Sequence, residues 1–279
     1  MNADVAESSL RSVFRLKWLI LKTSMEERLA YRGDFVFSTL IRFLPVVTQV
    51  FLWKAIFSND EEKLIRGFRF GEMIAYYLLV MLARAFSSMP GLANGIATSI
   101  ADGSVRKYLI QPVDMLDHLF WHRVAHKLVY YAVATGPFAL VFWLCRSYFP
   151  GWPDVPVLCC FIASLLMSFG IGFLIEAWLG QIAFWFVEVS SLIFIYMMLS
   201  YFLSGHMIPL EYLSEWLPFV EYLPFRYLAY TPAAIFLGRI PPSALGTEMA
   251  VQFCWIVGLF VLNRVTFSRG VRRYSSYGG

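Results

Sequence analysis

The sequence predicts an all-α integral membrane protein in which six helices cross the bilayer. Hydrophobic residues make up 59% of its 279 positions and charged residues 15%, whereas soluble domains hold roughly 45–50% apolar and about 25% charged residues. Apolar segments recur from end to end, many near the roughly 20 residues that cross about 30 Å of hydrocarbon. Aromatic residues reach 18%, which is typical of chains whose Trp and Tyr lie at membrane interfaces. These observations exclude a sizeable separate soluble domain and predict one membrane unit over residues 1–279.

Residues 1–33 are expected to form an amphipathic helix that lies in the membrane interface. Apolar and charged side chains recur there at helical spacing on opposite faces, with Leu10, Phe14, Trp18 and Leu21 on one and Arg11, Arg15, Lys22 and Glu26 on the other. An amphipathic helix packed on protein is an alternative of equal weight. The same charges interrupt any hydrophobic core of a cleavable signal peptide, so none is expected.

Six apolar segments are predicted to span the membrane: residues 34–57, 71–88, 122–148, 155–178, 182–203 and 244–267. Between the third and the fourth, Pro150, Gly151 and Pro153 forbid a continuous helix. Only Gly180 and Gln181 separate the fourth segment from the fifth.

Residues 204–242 differ from the spans because prolines divide them into apolar runs too short to cross. Pro209, Pro218 and Pro224 are three of these prolines, and Gly205 follows the end of the fifth span. Short helices that enter one leaflet suit this pattern where their backbone packs on protein. We therefore expect an outward re-entrant segment between spans five and six.

A polar interruption at residues 90–117 separates the second predicted span from the third. Its central residues are Asp102, Gly103, Ser104, Val105, Arg106, Lys107, Tyr108 and Leu109. A charged, helix-capable segment that two spans hold at the membrane surface is presented to a soluble partner. A plain solvated loop is the alternative.

Basic residues set the expected orientation. An even number of spans puts both termini on the side of the interruption. The N-terminal 33 residues, Arg106, Lys107 and the tail with Arg269, Arg272 and Arg273 give that side an excess of basic charge, which marks the cytoplasmic face. Because the basic residues follow the topology, no nucleic-acid partner is expected.

Three histidines suggest a rival function. His118, His122 and His126 have the i, i+4, i+8 spacing that places imidazoles along one helix face, where two of them could share a metal ion. This pattern would fit a membrane-embedded metalloenzyme, although no second cluster of ligands completes a catalytic set. The four cysteines likewise lack the spacing of a zinc site or a disulfide framework.

Ionisable residues in or beside the apolar segments raise a second alternative, a proton-coupled secondary carrier. They are Arg42, Arg84, Glu176, Glu188 and Arg264. Such groups usually face a bundle interior or extend to the interface. A proton-coupled carrier needs a carboxylate near the middle of the membrane, and neither glutamate clearly lies there.

No G-x-x-x-x-G-K-[ST] motif occurs in the sequence. This motif forms the usual Gly-rich loop that holds nucleotide phosphates. If the protein uses ATP, a separate subunit must therefore bind it.

Four stretches of the sequence resemble the permease subunits of ABC-2-type ABC transporters, in particular an uncharacterised bacterial branch with six spans. They are "ERLAYRGDFVFSTLIRF" before and within the first span, "IADGSVRKYLIQPVD" in the interruption, "FLSGHMIPLEYLSEWLPFVEYLPFRYLAYTP" after the fifth span, and the tail "FSRGVRRYSSYGG". Each stretch alone is weakly specific. Their order and placement over nearly the full length carry the resemblance.

The resemblance implies that the chain is not itself an enzyme. Two permease subunits, identical or related, would dock on two ATPase subunits that hold ATP and Mg. The interruption would be the coupling helix that enters a cleft of the ATPase, and the third stretch, with Gly205, Pro209, Pro218 and Pro224, would be the re-entrant element. The resemblance also implies export of a hydrophobic or lipid-like cargo across the bacterial cytoplasmic (inner) membrane, with the first and fifth spans lining the contact between permeases.

Overall fold

The computed structural model describes residues 43–57, 64–65, 67–110, 114–186 and 188–276, together with Trp18, Lys22, Thr23 and Ile41. Within these ranges the chain forms helices joined by turns and contains no β-strand, so the predicted all-α class is confirmed for them. The predicted interfacial helix at residues 1–33 lies outside the described residues except at Trp18, Lys22 and Thr23.

Ten α-helices are present in the described ranges: α1 Leu44–Ile56, α2 Phe70–Ser87, α3 Leu92–Ala101, α4 Lys107–Ile110, α5 Met115–Leu144, α6 Val155–Gln181, α7 Ser190–Leu203, α8 Leu210–Ser214, α9 Tyr230–Phe236 and α10 Pro242–Ser276. Short 3-10 turns lie between them at Ser104–Arg106, Arg146–Tyr148, Ile182–Phe184, Pro218–Tyr222 and Pro224–Leu228.

Four helical stretches are long and apolar enough to cross a membrane: Phe70–Ala101, Met115–Leu144, Val155–Phe184 and Pro242–Tyr274. Leu44–Ile56 and Ser190–Leu203 are apolar but shorter. The protein is therefore a multi-pass membrane protein. The first predicted span overlaps α1 only from Leu44, because most of residues 34–42 lie outside the described residues.

Side-chain caps explain where several helices begin. At the start of α2 the Glu72 carboxylate accepts the Arg69 backbone N–H at 3.2 Å, as in a capping box. At the start of α5 the Asp114 carboxylate accepts the Asp117 N–H at 2.9 Å. This cap starts α5 at Met115, seven residues before the predicted start of the third span at 122. In α6, Pro156 occupies the first turn, where its missing N–H costs nothing.

Three further bounds differ from the sequence prediction. Residues 92–101, which were assigned to the polar interruption at 90–117, form a helix that extends the second span after a break at Pro90 and Gly91. The fifth predicted span corresponds to α7, which begins at Ser190 and not at 182. Residues 182–184 instead continue α6 as a 3-10 turn, and the Glu188 carboxylate accepts the Ser190 N–H at 2.9 Å. The last helix runs to Ser276, beyond the predicted 267, so the basic tail is helical.

The chain divides into two compact units, residues 46–105 with 145–279 and residues 1–45 with 106–144. In the larger unit the second helix is buried along most of its length. Glycines bring helices close there: a Cβ on Gly180 would lie 2.7 Å from the Ala93 carbonyl oxygen and from the Ile96 Cβ. Close approach through small residues is how membrane helices pack without a hydrophobic driving force between them.

The smaller unit contains the long helix α5, which carries Pro137 in its interior. Near this proline the rings of Phe43 and Phe138 meet edge to face with centroids 5.0 Å apart, a favourable geometry for aromatic pairs.

Candidate functional site

The coupling segment, which we define as Asp102–Leu109, forms a tight turn followed by two short helical pieces. The Asp102 carboxylate accepts the Ser104 N–H at 2.8 Å, and Gly103 adopts φ 82°, a conformation that favours glycine. A 3-10 turn covers Ser104–Arg106, and α4 follows. The helix-capable segment therefore forms two short helical pieces after a glycine turn.

The first half of the coupling segment, Asp102–Val105, belongs to the larger unit and lies against the end of the last helix. A Cβ on Gly103 would lie 3.2 Å from the Tyr274 hydroxyl. Tyr274 in turn packs edge to face on Phe184, with ring centroids 6.3 Å apart, and Phe184 packs on Phe267 at 6.0 Å. The Gly103 turn is therefore connected to α10 through aromatic contacts.

The second half, Arg106–Leu109, belongs to the smaller unit and is largely exposed. Arg106, Lys107 and Leu109 are exposed, Leu109 by 42%, whereas Val105 immediately before them is fully buried. The Lys107 ammonium lies 4.9 Å from the centroid of the Tyr108 ring. Gln111, Pro112 and Val113 lie outside the described residues. Arg106, Lys107 and Leu109 thus present basic and apolar side chains side by side, as a docking surface requires.

Residues 204–242, which the sequence predicts to be a re-entrant segment, start at a second glycine turn. Gly205 has φ 76°, and its carbonyl oxygen accepts the Tyr76 hydroxyl at 2.6 Å. Two residues later the Met207 carbonyl accepts the Tyr77 hydroxyl at 2.9 Å. Two neighbouring tyrosines of α2 therefore hold the beginning of this segment.

Short helical pieces make up the rest of the segment, as its prolines predicted. Pro209 precedes α8, and Pro218 and Pro224 each start a 3-10 turn. The Ser204 carbonyl accepts the Tyr230 N–H at 3.0 Å, and the Ser168 hydroxyl donates to the Tyr227 carbonyl at 2.5 Å. These bonds satisfy backbone groups that irregular structure leaves open, as a re-entrant segment would require.

Two arginines that the sequence reading did not single out fix this segment by ion pairs. The Arg239 guanidinium lies 3.3 Å from the Glu211 carboxylate and 3.3 Å from the centroid of the Phe68 ring. The Arg226 guanidinium lies 3.3 Å from the Glu248 carboxylate. Because the partners of both pairs are 22 or more residues apart, no local pattern could have revealed them.

Buried amides join α6 to α10. Gln252 and Ser164 exchange two hydrogen bonds, at 2.9 Å and 3.0 Å. Closer to the end of α6, the Gln181 amide donates to Asn263 at 2.9 Å. Such bonds fix the register of neighbouring membrane helices. Amides within apolar helices are the sequence signal for these bonds.

The structure gives the metal alternative no support. Among the described residues, no three His, Cys, Asp or Glu side chains are close enough to hold a metal ion together. The first residue of the stripe, His118, packs its ring on Tyr108 with centroids 5.5 Å apart. His122 and His126 follow on the same helix, α5.

The structure describes both glutamates that the proton-carrier alternative considered. Glu188 is exposed, and hydrogen bonds from the side chain and N–H of Ser190 lower the pKa of its carboxyl group. It therefore stays ionised at neutral pH. Glu176 accepts the Met89 N–H at 3.3 Å. Arg42 lies outside the described residues.

Comparison with known proteins gives one match. The family model described as "ABC-2 family transporter protein" matches residues 43–278. No curated protein and no solved structure matches the chain.

Proposed function

This chain belongs to the ABC-2 family of transporter proteins, and from that membership we propose that its coupling segment, Asp102–Leu109, receives a separate ATPase that drives transport. The family makes the chain a permease of an ABC transporter and not the catalytic component. ATP and Mg would be held by the ATPase, since the chain has no Gly-rich phosphate loop.

The observation that carries the proposal is the joint exposure of Arg106, Lys107 and Leu109. A docking element must present charge and apolar surface to a partner and must also be anchored, so that a push on it moves the helices behind it. Closing of the ATPase around ATP would supply that push, and packed helices transmit such motion as rigid bodies.

A connected set of contacts leads from the coupling segment to the re-entrant segment. Gly103 lies near the Tyr274 hydroxyl on α10, which a Cβ at this position would approach to 3.2 Å. Gln252, on the same helix, bonds to Ser164 on α6, and Ser168 one turn later bonds to the carbonyl of Tyr227 in the re-entrant segment. We infer that α10 and α6 move together and carry the displacement across the membrane.

Topology and assembly complete the proposal. Six crossings would place both termini in the cytoplasm of a bacterial inner-membrane protein. The proximity of Gly103 to Tyr274 supports this arrangement, because the coupling turn and the basic tail then lie at the same end of the larger unit. Two permeases, identical or related, would form the pathway and export a hydrophobic or lipid-like cargo.

We expect the combined substitution R106E, K107E and L109S to abolish both ATPase binding and ATP-driven transport. The three side chains are exposed, so the folded permease should keep its unfolding temperature. The measurement is co-purification of the ATPase that accompanies the unaltered chain from native membranes, followed by transport in vesicles. The control is R272E with R273E, two exposed arginines of the tail, which should retain the ATPase. Retention of the ATPase by the triple variant would refute the proposed docking surface.

A further inference from the structure

An arginine lies deep in the second span of this protein. Arg84 is in the last turn of α2, about four turns or roughly 21 Å along the helix from Phe70. This places it within the depth of a hydrocarbon core of about 30 Å. Charged residues at such depth are rare, generally paired, and commonly mark a path for a substrate or an ion.

The partners of Arg84 carry no negative charge. Its guanidinium donates to the Ser200 hydroxyl at 3.2 Å and lies 5.5 Å from the centroid of the Tyr201 ring. Within the described ranges no carboxylate forms an ion pair with Arg84. A hydroxyl and an aromatic face solvate a cation but do not neutralise it. The Glu176 carboxylate and Arg84 both act on Tyr196 but form no ion pair with each other, so the guanidinium can still pair with an anion.

A second polar group beside Arg84 has an unused hydrogen-bonding atom. The His206 ring meets the Tyr201 ring edge to face, with centroids 4.8 Å apart. Its Nδ1 atom is buried and makes no hydrogen bond to any described residue. Arg84 supplies the charge of the cluster.

An apolar stripe leads away from this cluster along α7. Phe194, Met197 and Met198 precede Tyr201 by seven, four and three residues, which puts all four on one helix face. All are exposed, from 60% at Phe194 to 39% at Tyr201. A cation at the end of an exposed apolar stripe matches the two parts of an anionic lipid, its head group and its chains.

We propose that Arg84, Tyr201 and His206 bind the anionic head group of a lipid-like molecule whose chains lie along Phe194, Met197 and Met198. The planar guanidinium suits a phosphate or carboxylate because it can donate two parallel hydrogen bonds. The low dielectric of the membrane strengthens this attraction. Only the identification of this molecule as cargo rests on the proposed function, since binding itself requires no ATPase.

Binding is measured on the purified permease alone, in detergent micelles, by native mass spectrometry with phosphatidylglycerol and phosphatidylcholine of the same acyl chains. The unaltered protein should retain phosphatidylglycerol in preference. R84Q should lose that preference by about tenfold or more, the equivalent of one hydrogen bond to a charged group. R84K, which keeps the charge but not the planar fork, should retain part of it.

The matched control is R264Q, because Arg264 also lies in an apolar helix over an aromatic ring, 4.9 Å from the centroid of Phe260. This variant should bind phosphatidylglycerol like the unaltered protein. Equal loss in both variants, or no loss in R84Q, would overturn the proposal. A permease dimer that retains no phosphatidylglycerol would also overturn it, because a second permease would then cover the stripe on α7. If R84Q does not fold, R84K takes its place in the test. A preference for phosphatidylglycerol in R84K as strong as in the unaltered protein and in R264Q would overturn the proposal.

Two further experiments distinguish a transported lipid from a resident lipid of the membrane. If the lipid is cargo, ATP should drive labelled phosphatidylglycerol across vesicles that contain the permease and its ATPase, and R84Q should slow that movement. If it is a resident lipid, added phosphatidylglycerol should raise the unfolding temperature of the unaltered protein and not that of R84Q. Either result supports the head-group site. Because the binding measurement omits the ATPase, failure of the docking proposal leaves it unaffected.

Discussion

Replacement of Gly172 by alanine is expected to prevent the permease from folding stably. A Cβ at this position would overlap the backbone carbonyl oxygen of Ser87 on α2 and lie 2.9 Å from the carbonyl carbon. Both residues are buried, so a helix backbone rather than a flexible side chain must shift. Overpacking relieved by side chains costs about 1–3 kcal/mol, and we expect more than about 3 kcal/mol here. That is a large fraction of a typical stability of about 5–15 kcal/mol.

Gly170, two residues before Gly172 in the same helix, provides the matched control. A Cβ on Gly170 would be 3.6 Å from the Ile256 Cδ1, an ordinary contact, and alanine favours a helix over glycine by about 0.5–1 kcal/mol. G170A should therefore be neutral or slightly stabilising. Thermal unfolding in detergent and the yield of monodisperse protein measure the difference. Equal unfolding temperatures for G172A and G170A would show that α2 and α6 are further apart than described.

Replacement of Gly205 by alanine should detach the start of the re-entrant segment. Gly205 has φ 76°, where a side chain costs roughly 1–2 kcal/mol. In addition, a Cβ would lie 2.7 Å from the Tyr76 hydroxyl and 3.0 Å from the Tyr230 Cβ. The hydrogen bond from Tyr76 to the Gly205 carbonyl would then be broken, at a further cost of about 1 kcal/mol. We expect a total loss of about 3 kcal/mol.

A substitution at Gly238 separates the cost of a side chain at positive φ from the cost of the lost contacts with Tyr76 and Tyr230. Its φ of 68° carries the same backbone cost, but a Cβ there would have no atom within 4 Å. G238A should therefore lose only the conformational part, and limited proteolysis should cut residues 204–242 faster in G205A alone. If the two variants unfold at the same temperature, the contacts of Gly205 with Tyr76 and Tyr230 contribute nothing.

Local signals in the sequence located most helices and the polar segments between them. The prolines at 209, 218 and 224 predicted short helical pieces, and the structure has one after each. Pro150, Gly151 and Pro153 predicted the turn that precedes α6 at Val155. In the coupling segment, the charge pattern predicted exposure at Arg106 and Lys107, and both are exposed. These features depend on neighbouring residues, which a sequence displays directly.

Features that depend on distant contacts were not predictable from one sequence. Residues 92–101 were assigned to the polar interruption, yet they form a helix whose Ala93 and Ile96 pack against Gly180. Likewise, nothing in the sequence paired Gly103 with Tyr274 or Arg84 with Ser200. Such pairs arise only when helices far apart in the chain are packed together.

The central claim is that the coupling segment faces the cytoplasm and binds an ATPase. It is tested most directly by the side of the membrane from which Ser104 can be reached. Ser104 is exposed and can be replaced by cysteine in a chain whose Cys145, Cys159, Cys160 and Cys254 are first changed to serine. A membrane-impermeant maleimide should label S104C in inverted vesicles and not in intact cells, and bound ATPase should slow the labelling. Labelling of S104C from outside intact cells would contradict a cytoplasmic coupling segment.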